Sequence, residues 1–67
     1  MILLTKLDNT KILLNLEVVK YIESVPDTLI IFINGDSLIV RESLEEVEAR
    51  VVELKRKILE NADQSSK

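Results

Sequence analysis

The residues able to do chemistry are few, and their spacing favours structural work. Ser43-Leu44-Glu45-Glu46 pairs a hydroxyl with a carboxylate three residues later. That is the pattern of a capping box, in which two free amide donors at a helix start are satisfied reciprocally. Ser43 is thus read as a cap and not as a nucleophile. Glu45 and Glu46 are adjacent, so on a helix their carboxylates diverge and do not form an acid-base pair. Histidine and cysteine are both absent, which removes thiolate and imidazole chemistry and the metal sites that depend on them. No catalytic residue, cofactor or metal is expected, and the chain is read as a non-enzyme.

Three further groups are candidates for contact. Arg41 stands directly before the acidic helix start as an interface anchor, with Glu42, Glu45 or another nearby carboxylate as its expected structural partner. Val47, Val51, Leu54 and Ile58 continue from Leu44 as an apolar stripe at alternating steps of three and four, with Val52 and Leu59 beside it. One stripe can cover a sheet while its flank meets a partner. Lys55, Arg56 and Lys57 are secondary polar contacts, read first as a solvated helix face and second as a site for an acidic partner or an anionic membrane surface.

The elements that position these groups follow from local pattern. A strand is expected over Ile2 to Leu7, a turn at Asp8-Asn9-Thr10, and a returning strand through Leu14. Asn15-Leu16-Glu17 reads as a helical turn or bend, and a strand is placed on the second half of Val18 to Val25, before Pro26-Asp27. Leu29-Ile30-Ile31-Phe32-Ile33 does not alternate, so both of its faces should meet apolar material. Asn34-Gly35 then predicts a type I′ hairpin turn, with Asp36 to Arg41 returning.

Ser43 to about Asn61 reads as one amphipathic helix, with Ala62 to Lys67 as a polar tail. Glutamates gather at its start and basic residues later, which suits the helix dipole, and Glu46–Arg50 and Glu53–Lys57 have i,i+4 spacing. At roughly 28 Å such a helix overhangs a strand of roughly 20 Å. The result is an α+β fold: a small antiparallel β module, 1–41, followed by one C-terminal helix, all in a single domain.

Size and charge bound the function. With 67 residues, of which 46% are hydrophobic, the chain has more apolar material than a fold burying roughly 60% of its surface can use. A homo-oligomer is expected, with a twofold dimer as first choice. The 9 basic and 12 acidic residues are mixed along the sequence, giving a net charge of −3, so there is no electrostatic funnel for DNA. No apolar run is long enough for a transmembrane segment, and Met1 to Leu7 lacks the features of a secretory leader. A cytoplasmic location is expected.

Leu4-Thr5-Lys6-Leu7, Pro26-Asp27-Thr28, Asn34-Gly35, Val40-Arg41-Glu42-Ser43 and Glu45-Glu46-Val47 together resemble the small flagellar FlbD family, also called the swarming-motility SwrD family. The resemblance extends over about residues 3 to 58. Asp8-Asn9-Thr10 departs from the glycine-containing first turn of that family. What the resemblance implies is a role in bacterial flagellar motility, through protein contacts that support the motor or its stator units, with a flagellar stator or basal-body component as partner and a peripheral place at the motor. The chain is too short for the ATPase and DNA-binding domains of the unrelated flagellar activator that shares the name. The alternative is a small RNA-binding regulator resembling the carbon-storage regulator family, through Ile2-Leu3-Leu4-Thr5-Lys6 and Val40-Arg41-Glu42. The acidic balance and the lack of an aromatic or basic sheet surface count against it.

Overall fold

Successive side chains of a strand face opposite sides, and Ile2 and Leu4 therefore turn inward together from β1 (Ile2–Thr5) while Leu3 faces out. The computed structural model describes the backbone of residues 1–65 and the side chains of residues 1–59. In it, β1 pairs antiparallel with β2 (Lys11–Leu14). A 3-10 turn at Leu16–Val18, capped by the Asn15 side chain, leads into β3 (Val19–Ser24), β4 (Thr28–Phe32) and β5 (Ser37–Val40), and α1 (Leu44–Ser65) follows. The α+β architecture expected from the sequence is the one observed.

The strands form a two-stranded sheet, β1-β2, and a three-stranded antiparallel sheet, β3-β4-β5. A bridge between Lys6 and Val40 and an Arg41 N–H to Thr5 carbonyl bond of 2.8 Å join the sheets edge to edge. β3 begins near the start of its apolar run and carries a register shift between Val19 and Tyr21. The core lies where both sheets meet the helix: Ile2, Leu4, Leu14, Ile30, Val40 and Val47 are buried together. Leu29 and Ile31, on the other face of β4, are half-buried, whereas Ile33 lies beyond the strand and is 66% exposed.

The β1-β2 and β4-β5 hairpin loops are each one residue longer than a two-residue turn. The Phe32 N–H bonds to the Asp36 carbonyl and the Gly35 N–H to the Phe32 carbonyl, each at 2.9 Å. Gly35 alone takes positive φ, 94°, while Asn34 does not. The expected type I′ turn is therefore corrected to a three-residue loop with a glycine bulge. Asn34 supports it by accepting the Asp36 N–H at 3.0 Å.

The first hairpin repeats this geometry. The Lys6 N–H donates to the Thr10 carbonyl at 2.9 Å, the Asn9 N–H returns to the Lys6 carbonyl at 2.9 Å, and Asn9 adopts a φ of 70°. The strand consequently stops at Thr5, short of the expected Leu7. Asn9 occupies the left-handed position at which glycine is easiest, and asparagine is among the few other residues that tolerate it. The Asp8 carboxylate accepts from the Thr10 hydroxyl at 2.6 Å, which holds its pKa below the usual value.

An alanine Cβ at Gly35 would meet nothing within 4 Å, so Gly35→Ala tests backbone conformation alone. A loss of about 1 kcal/mol is expected, read as a lower urea midpoint with an unchanged slope. An unshifted midpoint would contradict the assigned turn.

The helix begins as the Ser43–Glu46 spacing predicts. The Glu46 N–H bonds to the Ser43 hydroxyl at 3.1 Å, and the Ser43 N–H to the Glu46 carboxylate at 3.2 Å. α1 continues through Ser65, past the expected end at Asn61 and into the segment read as a polar tail; Ser66 and Lys67 lie outside the described residues.

Candidate functional site

One carboxylate ties three elements together. Glu42, in the link between β5 and α1, accepts the Thr5 N–H and the Thr5 hydroxyl, each at 2.8 Å. Arg50 of α1 pairs with it at 3.1 Å and also donates to the Leu3 carbonyl at 2.7 Å. Lys11 of β2 donates to the Thr5 hydroxyl oxygen at 3.0 Å. Burial alone would raise the Glu42 carboxyl, but the Thr5 amide, the Thr5 hydroxyl and Arg50 outweigh it and hold the group at about 2. A saturated carboxylate of that acidity is ionised at neutral pH and is a weak base, so its work is structural. Every buried side-chain polar atom among the described residues has a hydrogen-bond partner.

This clamp redraws the expected pairs. Arg50 bonds Glu42 and not Glu46, whose carboxylate is engaged in the cap. Glu53 pairs with Arg56 at 2.6 Å rather than with Lys57. Arg41 reaches the Leu7 carbonyl and not a carboxylate. Its preference has a simple cause: the loop of the first hairpin presents that backbone oxygen beside it, whereas Glu42 is already saturated.

The apolar stripe divides along its length. Val47 is 1% exposed and belongs to the core; Val51 and Leu54 are half-buried against it; Ile58 is 57% exposed beyond the sheet. Val47 therefore has no surface to offer a partner. The three basic residues do not share a face either. Lys55 lines one side of α1 facing β3, Arg56 turns back to Glu53, and Lys57 lies near Met1 and Leu3 on the other side.

Two surface features bear on contact with a partner. An apolar groove of about 800 Å³ separates α1 from β3. Leu16, Val19, Tyr21 and Ile22 form one wall and Leu44, Val51 and Val52 the other; Glu17, Glu45 and Glu48 rim it, with Lys55 toward one end. A smaller recess of about 310 Å³ gathers Leu7, Pro26, Asp27, Thr28, Arg41 and Ser43 from three separate segments. Among the described residues, no group of acidic side chains is placed to hold a metal, and no helix is long and apolar enough to cross a membrane.

A family profile described as flagellar and swarming motility proteins, FlbD, matches residues 1–59. The chain belongs to the FlbD family. No curated protein and no solved structure matched it. The match spans all five strands of this FlbD-family chain and the helix as far as Leu59. The segments that carry the sequence resemblance now have physical roles. Leu4 to Leu7 supplies the core and the Glu42 ligands, Gly35 makes a bulge, and Val40 to Glu46 joins the sheets, forms the clamp and caps the helix. Sequence reasoning placed Glu42 among the acids favouring the helix dipole and as a partner for Arg41; its bond to Thr5 carries no local signal, because the partners are 37 residues apart.

Proposed function

We propose that this FlbD-family chain is a non-enzymatic accessory protein of flagellar motility that acts through protein contacts and supports motor or stator output. One observation carries the contact reading. Leu7, Pro26-Asp27-Thr28 and Arg41 to Ser43, distant in sequence, converge on one surface recess, with the exposed Arg41 guanidinium held at its edge by the Leu7 carbonyl. A fixed guanidinium beside apolar and proline surface suits a partner that presents a carboxylate or carbonyl group next to an apolar side chain. The partner in this reading is a stator or basal-body component, and the chain acts on the cytoplasmic side, peripheral to the motor.

The test is capture in motile cells, with a photo-crosslinking residue at Asp27, an exposed rim position, in otherwise native protein and in the Arg41→Ala variant. Enrichment of stator or basal-body proteins, lost with Arg41→Ala while the circular dichroism spectrum is unchanged, is the expected result. Reproducible recovery of RNA without such proteins would overturn the reading in favour of an RNA-binding regulator.

A further inference from the structure

We infer that the groove between α1 and β3 is filled by α1 of a second copy of this chain, laid antiparallel across a twofold axis that passes near Val52. Glu45, Glu48, Val52 and Lys55 all line the groove, and with Leu59 they recur at steps of three and four, the spacing of a helix-packing seam. Val52 is 60% exposed and Leu59 67%, although both lie on the helix that covers the core.

The seam is self-complementary in one direction only. It is acidic before Val52 and basic after it. In an antiparallel pair centred on Val52, Glu48 lies roughly 6 Å before the axis and Lys55 roughly 5 Å after it, on the helical rise, so each Glu48 meets the other copy's Lys55. The pair occurs twice by symmetry. A parallel pair would oppose glutamate to glutamate and lysine to lysine, which costs affinity. Leu59, seven residues beyond the axis, reaches the end of the groove marked by Leu44 at the start of the helix. One surface thereby supplies both the acidic-rimmed apolar groove and the basic, apolar segment that fits it. Arg41 and its recess are lined by none of these residues, so the dimer leaves the proposed motility contact open.

Sedimentation over a concentration series, with circular dichroism on every variant, tests the assignment. The wild-type chain is expected to dimerise in the micromolar range. Val52→Asp should be monomeric with an unchanged helical spectrum. Glu48→Lys and Lys55→Glu should each weaken association roughly tenfold or more, since a like-charge contact replaces an attraction twice per dimer, and their combination should restore it. This swap keeps the test decisive even if Val52→Asp fails to fold. The chain has no cysteine, so Val52→Cys should give a disulfide-linked dimer on mild oxidation, and Ile33→Cys at the distant hairpin loop should not. A wild-type monomer throughout, or a dimer indifferent to both charge reversals, would overturn the inference.

Discussion

Glu42→Ala is expected to lower the melting temperature by about 10 °C or more. The variant leaves the partly buried Thr5 amide without an acceptor and removes the ionic partner of Arg50, which retains only the Leu3 carbonyl. An unsatisfied donor and a broken ion pair, covered on its Glu42 side and open on its Arg50 side, together cost about 2–3 kcal/mol, and each kcal/mol moves a domain of this size by about 4–8 °C. Glu42→Gln, which keeps an acceptor for Thr5, should lose less.

The same carboxylate makes stability depend on acid. Its folded pKa is about 2 against a reference of 4.5, so its contribution is full above about pH 4.5 and disappears as the pH falls toward 2. The depression corresponds to about 3 kcal/mol, which solvent near the surface reduces to about 2 kcal/mol. Melting curves at pH 7, 4 and 3 should therefore show the wild-type advantage over Glu42→Gln shrinking as the pH falls. A gap that stayed constant across this range would mean that the clamp is not ionic.

Val47→Asp should abolish folding, whereas Val52→Asp should not, although both place a charge on the same helix. Val47 is 1% exposed and packs among residues of both sheets, while Val52 is 60% exposed. Burying a carboxylate with no partner costs several kcal/mol, comparable to the whole stability of a small domain. Far-UV circular dichroism and urea titration of the two variants distinguish a core position from a surface one. A cooperatively folded Val47→Asp variant would contradict the packing of α1 on the sheets.

The parts of the fold that were legible in the sequence are those whose partners are neighbours in the chain. Ser43 and Glu46 sit three apart, and their reciprocal bonds could be foreseen from residue type alone. The central hairpin was equally legible in position, but its turn type was not. Asn-Gly suits a two-residue turn, yet the last strand pair closes at Phe32 and Asp36, which draws Ile33 into the loop and leaves only Gly35 with positive φ. Which residue closes a loop depends on strand register, and register is set by the core.

Where the candidate contact residues sit was less legible. A stripe with a free flank was readable on the helix, but not that Val47 would be wholly covered while Val52 faced a groove. Arg41 was singled out as a cation expecting an anion, and its partner is a backbone carbonyl, which no side-chain pattern encodes. Thr5, Glu42 and Arg50 could not be connected in advance because nothing local links a strand at one end of the chain to a helix at the other. Their bond geometry exists only once β1 lies beside the link between β5 and α1.

The central claim, that the chain serves flagellar motility by supporting motor output through contact, is tested most directly by motor rotation under load. Tethered cells lacking the chain should carry normal numbers of filaments and turn with reduced torque, restored by the wild-type chain and not by a stably accumulated Arg41→Ala variant. Full torque without the chain, or full restoration by Arg41→Ala, would contradict the account.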